Sequence, residues 1–546
     1  MQTPYTRQKS LISLADVAVL AAVLLFAFFA VRGSVLMSAE GALIDSDLAT
    51  YAEGMAGAAH PDLFAEDPML YSRTAGNSIK NLERMLAELL TSDDAFAIGL
   101  LRAGGVIVVV FYLSWYIFGR WLFGRRDFAL LLVAAVSITV WVGFGTFWGI
   151  THSDPLPRVF HAAVFPWMLM LAILAIEQAA LRPLAMLLAG LGMWLHGVSA
   201  LNCGAMFFLA FFFHCPKSLS LPRHVLLCLL SLMAFFTPVL IFLWPSLGIG
   251  QVFTAEELSA FYDLFALRWQ EDYGHISESL LTLVSPGNPV AWLIFAGLAA
   301  SLVTRFLPNV RAATLARMLP FFLVALVLVI AFSLIESQYA QALGRVPMGH
   351  ELVRGVKFLI PLAWICLLAP LVFCLERMPA WMTKVLVCGA FLAIVLISQD
   401  KQYMAAEYAL HAQTGVHLPL TSKAQAVQEK AQKARAAVEA VKQFVPEGAS
   451  VFCLEDSMMA VRYMALRPLV YSFKDGYAHF YSKDVRQTRI WLKYTRLLME
   501  GEEGLGKALA QSGAVWYLSA KPEKTMPLQG EKVWENEAWA LWKRDS

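Results

Sequence analysis

The sequence predicts an α-helical polytopic membrane protein with about 9–11 transmembrane helices, followed by a soluble C-terminal α/β domain. Of its 546 residues, 58% are hydrophobic and only 15% are charged, whereas an ordinary soluble domain carries about 25% charged residues. Apolar runs long enough to cross a bilayer recur over residues 1–398 and then stop. Residues 399–546 are polar enough to fold in water, so we expect them to form a separate domain outside the bilayer.

Net charge and cysteine content each exclude one class of protein. The formal net charge is +2, so the chain lacks the strong basic field that recruits nucleic acid, and we expect no nucleic-acid partner. Six of the seven cysteines lie in or beside apolar stretches, which leaves Cys453 alone in the tail. A lone cysteine excludes a disulfide framework for that domain.

Nine apolar runs approach the roughly 20 residues that a helix needs to span a bilayer. They are Leu14–Val31, Ile98–Phe118, Phe128–Trp148, Val159–Ala180, Val225–Trp244, Val290–Phe306, Leu319–Ile335, Val356–Phe373 and Val385–Ser398. The first follows Arg7 and Lys9, as the apolar part of a signal peptide does, but Met37-Ser38-Ala39 is a poor cleavage site. Because more spans follow, we interpret the first run as a retained signal anchor.

A further apolar stretch, Pro183–Cys215, is too long for one span and short for two. We predict a pair of half-length helices that meet at the polar elbow His196-Gly197-Val198-Ser199, since broken backbone is tolerated at membrane depth where it lines a cavity. The expected role of His196 is to brace this elbow. A functional role is the alternative, because ionisable groups at membrane depth are often functional.

Basic residues orient the chain with its N-terminus in the cytoplasm. If the broken pair enters and leaves on one face, clusters such as Arg120, Arg125 and Arg126 all fall on the cytoplasmic side, as the positive-inside rule requires. The C-terminal domain then lies outside the cell membrane, as do the long segments 32–97 and 245–289. Apolar residues at helical spacing within Asn77–Leu90 and around Leu258 predict amphipathic helices on the outer surface.

The tail, residues 399–546, alternates between helix and strand signals. Lys423–Phe444 is predicted to be a helix, Ala449–Leu454 a buried strand, Ser457–Leu466 a helix, and Pro468–Phe473 a second strand parallel to the first. Further elements are predicted at Ile490–Met499, Leu505–Gln511, Ala514–Ser519, Val533 and Trp539–Trp542. The tail shows no Gly-rich phosphate loop or catalytic triad signature, so we assign it a supporting or recognition role.

Two acidic turns are candidates for chemistry. Asp45 and Asp47 can bind a divalent cation as a pair, or divide the roles of base and electrostatic stabiliser. Asp-x-Asp is also typical of a capping turn ahead of a helix. Asp154, in the second outer turn, is likewise suited either to a functional role or to capping the next span.

The chain resembles the GT-C class of integral membrane glycosyltransferases. The resemblance lies in the N-terminal anchor, an acidic outer loop with an early Asp and a later Phe-x-x-Asp-Pro (Phe64 to Pro68), irregular spans and an outer α/β domain. It extends to a group of bacterial GT-C-like proteins with a similar elbow, here His196 to Ser199, and a tail segment like Arg462 to Pro468. It implies a polyprenyl-phosphate-linked sugar donor, a glycan or lipid acceptor, and the bacterial inner (plasma) membrane as location.

In the GT-C class an acidic residue of the first outer loop acts as catalytic base or orients the acceptor. The resemblance therefore implies Asp47 as base with Asp45 as partner, and Asp154 as a second acidic position. A lipid phosphate also needs cations near the outer leaflet. The candidates are Arg354, Lys357, Arg268 and His350. The alternative for Arg354 and Lys357, one turn apart at the mouth of a span, is ordinary snorkelling at a helix end.

Three functions fit these features. The first is a membrane glycosyltransferase that moves a sugar from a polyprenyl phosphate to an acceptor on the extracytoplasmic face. A lipid or glycan transporter or flippase is an alternative, but no internal repeat is visible and the charges cluster at outer boundaries rather than at the bilayer midplane. A non-catalytic envelope assembly protein on the same scaffold is the third, because architecture does not by itself establish activity.

The topology gives a direct prediction. Reporter tags fused at the N-terminus and at Ser546 are expected to lie on opposite sides of the membrane, because the basic loops fit only that threading. Protease protection in sealed vesicles measures this. A cytoplasmic signal from the Ser546 tag would contradict both the topology and an outer active site.

Overall fold

The structure of the chain is a computed structural model. It describes residues 13–65, 67, 70, 82–150, 156–244, 254–259, 281–343, 349–397, 401–455, 458–475, 485–521 and 530–544.

Helices form almost all of the described N-terminal part. They are α1 (Leu14–Met37), α2 (Ser46–Ala59), α3 (Leu82–Leu90), α4 (Phe96–Phe123), α5 (Arg126–Ser137), α6 (Pro157–Glu177), α7 (Arg182–Leu191), α8 (Met193–Phe213), α9 (Leu221–Leu243), α10 (Pro289–Thr304), α11 (Val310–Ala342), a 3-10 helix (His350–Phe358), α12 (Leu359–Leu375) and α13 (Ala380–Ile397). Within the described ranges, seven helices are long and apolar enough to cross a membrane, and three shorter apolar helices accompany them. The predicted class of helical multi-pass membrane protein is confirmed.

The predicted span Phe128–Trp148 is wrong. The helix α5 ends at Ser137, and a short antiparallel hairpin follows, with strands β1 (Val140–Gly143) and β2 (Thr146–Trp148). The run is apolar throughout because the hairpin is itself largely buried, so hydropathy alone does not separate it from a helix.

The predicted broken pair is formed by two helices of unequal length. The first helix, α7, has 10 residues, and the second, α8, is interrupted three residues after its start at His196, which has non-helical angles (φ −160°, ψ 106°). The Ser199 backbone N–H donates to His196 Nδ1 at 3.1 Å, and the Ser199 hydroxyl lies 2.7 Å from the same nitrogen. The imidazole thus takes the place of a helix cap where the helix resumes.

A cluster of charged residues marks one end of the bundle. At the start of α1, Asp16 pairs with Arg120 at 2.8 Å and with Arg126 at 3.2 Å, and accepts a hydrogen bond from Tyr116. This is the end at which the basic loops were predicted. The opposite end of α1 leads into α2 and the segment predicted to lie outside.

The helix after the last apolar run, α14 (Lys401–Thr414), returns along α1. A Cβ atom at Gly33 of α1 would lie 1.7 Å from the Ala405 carbonyl oxygen. Only glycine permits this approach, which fixes the start of the tail against the N-terminal anchor.

The remaining tail is a small α/β unit. It contains α15 (Thr421–Phe444), β3 (Val451–Cys453), α16 (Ala460–Tyr463), α17 (Val485–Met499), α18 (Glu502–Ser512), β4 (Trp516–Ala520), β5 (Gly530–Glu535) and β6 (Trp539–Arg544). The sheet order is β3-β4-β6-β5, with β3 and β4 parallel and the other pairs antiparallel. The predicted second strand, Pro468–Phe473, is wrong: only a single bridge from Leu469 to Val451 forms there, and β4 is the parallel partner.

A buried arginine joins this α/β unit to the segment that follows α1. The Arg462 side chain is 0% exposed and donates to three carboxylates that are equally buried. They are Glu53 (2.7 Å), Asp67 (2.8 Å) and Asp475 (2.7 Å). Burial alone would lower the pKa of Arg462, but the three carboxylates hold it well above its usual value. The guanidinium is therefore always charged and bridges segments about four hundred residues apart.

Further contacts seat the α/β unit on the membrane part. Tyr463 donates to the Gly41 carbonyl at 2.9 Å, and Arg435 pairs with Glu40 at 2.9 Å. The apolar core of the bundle continues without a break into β3, β4 and β6. The unit and the end of the bundle that carries α2 therefore form one packed body.

Replacing Arg462 by Met is expected to destabilise the protein by about 3–5 kcal/mol, because three carboxylates would stay buried without their cation. Thermal unfolding in nanodiscs measures this. The matched control is Arg489→Met, which removes an exposed pair with Glu257 and should change stability by at most about 1 kcal/mol. Equal effects from the two variants would contradict the structural role of Arg462.

Candidate active site

The unpredicted hairpin supplies the first part of the site. Its loop is Phe144-Gly145, between the paired residues Gly143 and Thr146. Both loop residues have positive φ, 57° for Phe144 and 59° for Gly145, as a two-residue type I′ turn requires. A phenylalanine rarely adopts this conformation, and Phe144 is held there by complete burial. Strain of this kind persists where surrounding structure fixes it, and is common at functional sites.

The turn carbonyls hold two arginines. Arg354 Nε donates to the Phe144 carbonyl at 3.1 Å, and Arg158 donates to the Gly145 carbonyl at 3.0 Å. Arg158 also lies over the Phe147 ring, with its guanidinium carbon 4.6 Å from the centroid. Glu351, one turn before Arg354, pairs with it at 3.3 Å. Two guanidinium groups from distant segments are thus fixed on adjacent carbonyls of one turn.

Asp47 faces these arginines from the first turn of α2. Its carboxylate lies 3.6 Å from Arg158 and forms an ion pair with Lys474 of the α/β unit. The Asp47 side chain remains 41% exposed, so a ligand can reach it.

The surrounding cations keep Asp47 ionised. Its partial burial alone would raise the pKa of the carboxyl, but Lys474, Arg158 and Arg354 together hold that pKa below its usual value. At neutral pH the group is a carboxylate, which can accept a proton or a hydrogen bond.

Glu83, in the first turn of α3, is the opposite case. Its side chain is 1% exposed, and neither of its oxygens has a hydrogen-bond partner among the described residues. Burial raises the pKa of Glu83 well above its usual value; the positive charge of Arg158 opposes the shift and the negative charge of Asp47 adds to it. Two neighbouring carboxyl groups are thus driven towards opposite protonation states, a pattern found where acid and base roles are divided.

Behind the arginines lies a buried layer of polar side chains. Lys357 is 3% exposed, and its Nζ has no hydrogen-bond partner among the described residues, nor has Nε2 of His161. Asn202 of α8 donates to the Leu352 carbonyl at 3.0 Å. A Cβ at Gly355 would lie 2.0 Å from Asn202 Oδ1, so glycine lets the 3-10 helix pack directly on α8.

The residues predicted from the sequence fall into three groups. Arg354 lies beside Asp47 as just described, and Lys357 lies in the buried layer. Asp45 is the N-cap of α2, where it accepts from the Asp47 backbone N–H at 2.9 Å. Asp154, Arg268 and the side chain of His350 lie outside the described part of the chain.

The predicted metal role of Asp45 and Asp47 does not fit the donor set. The Asp45 carboxylate is used in capping, and Asp47 faces cationic side chains. Among the described residues, no group of three or more His, Cys, Asp or Glu side chains is placed to hold a metal ion.

Sequence reasoning missed the central roles of Arg158, Lys474 and Glu83. The structure buries Arg462 and directs Lys474 to Asp47. For Arg158 and Arg354 a signal existed: Gly143-Phe144-Gly145 between β-branched and aromatic residues is typical of a hairpin.

Comparisons with known proteins returned similar structures only. No protein-family model matches the chain, and no curated protein matches it. Among solved structures, ArnT from Cupriavidus metallidurans, bound to undecaprenyl phosphate, is similar at a TM-score of 0.48 and 12% identity, covering 97% of this chain and 98% of its own. The oligosaccharyltransferase of Archaeoglobus fulgidus, tethered to an acceptor peptide, is similar at a TM-score of 0.41 and 12% identity. The match covers 92% of this chain and 69% of that chain. Both are glycosyltransferases of the GT-C class.

The state of Glu83 predicts a pH effect on stability. The pKa of Glu83 is raised on folding. Its contribution to the free energy of unfolding is therefore complete below the pKa of the unfolded chain, about 4.3, and decreases as the pH rises towards the pKa of the folded protein. Glu83→Gln should therefore be more stable than the wild type at neutral pH, and the difference should vanish in acid. Unfolding midpoints in nanodiscs across this range measure the effect.

The control for this series is Glu88→Gln on the same helix, where Glu88 pairs with Arg84 in a partly exposed position. The effect of Glu88→Gln on stability should be small, as for other partly exposed ion pairs. A Glu83→Gln difference in stability that stays constant from acid to neutral pH would show that the pKa of Glu83 is not raised on folding.

Proposed function

We propose that the protein is a membrane glycosyltransferase that transfers a sugar from a polyprenyl-phosphate-linked donor to a glycan or lipid acceptor at the extracytoplasmic face. The observation that carries the proposal is the accessible, ionised carboxylate of Asp47, with Arg158 and Lys474 in contact and Arg354 close by.

This arrangement matches what glycosyl transfer from a lipid phosphate requires. The acceptor hydroxyl oxygen forms a bond to the anomeric carbon, while the bond from that carbon to the phosphate oxygen breaks. The hydroxyl proton passes to the Asp47 carboxylate, and the phosphate leaves with the bonding electron pair. Arg158 and Arg354 are placed to stabilise the negative charge on the departing phosphate.

The two arginines are suited to a phosphate because their positions are fixed beforehand. Arginine presents a planar set of donors that matches phosphate geometry. The hairpin carbonyls restrain the rotation of both guanidinium groups. A preorganised cation loses little conformational freedom when an anion binds, which favours stabilisation of the transition state.

The position of the site in the bundle agrees with an outer active site. Asp47 follows the end of α1 that is remote from the Asp16, Arg120 and Arg126 cluster. With the basic end in the cytoplasm, the site opens at the extracytoplasmic boundary, where a polyprenyl-linked sugar would be presented. The sequence resemblance to the GT-C class, with Asp47 at the position of the acidic residue of the first outer loop, supports the same function.

Asp47→Asn is expected to lower turnover by roughly a hundredfold or more, because it removes the general base and keeps the size of the side chain. The assay measures transfer of labelled sugar from a panel of undecaprenyl-phosphate monosaccharides to membranes of a strain lacking the protein. The wild-type chain should transfer from at least one donor.

The matched control is Asp45→Asn, which should retain most activity because asparagine caps a helix as well as aspartate does. Equal losses from both variants would point to a shared role of the two carboxylates. Normal transfer by Asp47→Asn would contradict its assignment as base, and no transfer by the wild-type chain from any donor would contradict the function.

A further inference from the structure

Two adjacent residues of the α/β unit make ion pairs in different parts of the outer face. Lys474 pairs with Asp47 in the candidate site, and Asp475 pairs with the buried Arg462 at 2.7 Å. Arg462 in turn binds Glu53, which lies on the same helix α2 as Asp47. One short stretch of the tail is therefore attached to α2 at two points, one inside the packed interface and one at the site.

This stretch is held from the side of the α/β unit as well. The Ser472 carbonyl accepts from Trp491 Nε1 at 3.1 Å, and from the Asp475 backbone N–H at 3.3 Å. Trp491 is buried in the core of the unit. The backbone that carries Lys474 is thus fixed to α17 on one side and, through Asp475, to Arg462 on the other.

We propose that Lys474 is a positioning residue for glycosyl transfer: the C-terminal α/β unit delivers its ammonium group to the Asp47 carboxylate, and the Arg462 network holds it there. The inference rests on the proposed function and extends it, because the α/β unit then forms part of the catalytic centre instead of only supporting or recognising an acceptor. Folding of the unit onto the bundle completes the site.

The physical effect of Lys474 is on the charge of Asp47 rather than on stability. Both partners are partly exposed, at 20% and 41%, and exposed pairs of this kind add little to stability. The charged groups around the carboxylate in the described part of the chain are Lys474, Arg158 and Arg354, and the carboxyl of Glu83, whose pKa is raised by burial, is also near. Among the cations, Lys474 is the strongest single influence that lowers the pKa of Asp47.

The direction of the pH effect follows from this. A base must be ionised to accept a proton, so activity falls as the pH drops through the pKa of Asp47. Removing a neighbouring positive charge raises that pKa. Without Lys474, the acidic limb of the pH profile should therefore move to higher pH, by about one unit for a charge in direct contact.

The experiment compares the pH dependence of kcat/KM for the wild-type protein, Lys474→Met and Lys474→Arg in the labelled-sugar assay. Lys474→Met should move the acidic limb upwards by about one pH unit, a tenfold loss on that limb, and Lys474→Arg should restore it. The control Lys433→Met removes an exposed lysine of the same unit that pairs with Glu537, and should leave the limb in place. A uniform loss of activity with an unmoved limb would overturn the proposal.

A second measurement separates this inference from the proposed function. An infrared titration of the Asp47 carboxyl, compared between the wild-type protein and Lys474→Met and assigned with Asp47→Asn, reports the contact in the absence of any substrate. A pKa of Asp47 that is the same in both proteins would overturn the proposal even if sugar transfer is found. A wild-type chain that transfers no sugar would overturn the function, and with it the positioning role of Lys474, while a raised pKa of Asp47 in Lys474→Met would still establish the contact.

Discussion

The burial of one arginine with three carboxylates is the constraint on which the seating of the α/β unit on the bundle depends. Arg462 lies at the end of the short helix α16, and its partners come from α2, from the loop after α2 and from the tail itself. A guanidinium without solvent contact is tolerated only when its donors are satisfied, and removal of any partner leaves charge buried without compensation. The α/β unit therefore has one well-defined seat on the bundle. Asp67 adds to this by accepting backbone N–H groups from Leu469 and Leu70.

The candidate site forms where three independently fixed parts meet. Helix α2, capped by Asp45, presents Asp47 in its first turn; the hairpin after α5 fixes Arg158 and Arg354 through its turn carbonyls; and the seated α/β unit brings Lys474. None of these parts makes an ionised and accessible carboxylate among cations by itself. Chemistry at a membrane boundary needs such prior organisation, because bulk water is only partly available there to stabilise developing charge.

Much of the fold could be predicted from hydropathy, because a bilayer requires long apolar helices. The tail elements α15, α17, α18, β4 and β6 were also found within a few residues, since their apolar periodicity and flanking glycines are local signals. The hairpin at Val140–Trp148 was missed because burial makes a strand as apolar as a span. The prediction of a short parallel strand at Pro468–Phe473 is wrong because the pairing of strands is decided by residues distant in the sequence. Here β4 is the strand that pairs with β3. Asp47 was identified from its place after the first span, but its partners Arg158 and Lys474 lie over a hundred and over four hundred residues away, and no local pattern specifies such contacts.

The most direct test of the central claim is a cryo-electron microscopy structure of the protein in nanodiscs with undecaprenyl phosphate. If the site binds a lipid phosphate for glycosyl transfer, density for the phosphate should appear within hydrogen-bonding distance, about 3 Å, of Arg158 or Arg354, on the same face of the bundle as Asp47. The polyprenyl chain should then leave the site towards the membrane. Phosphate density bound elsewhere, with Asp47, Arg158 and Arg354 unchanged in their mutual contacts, would contradict the assignment.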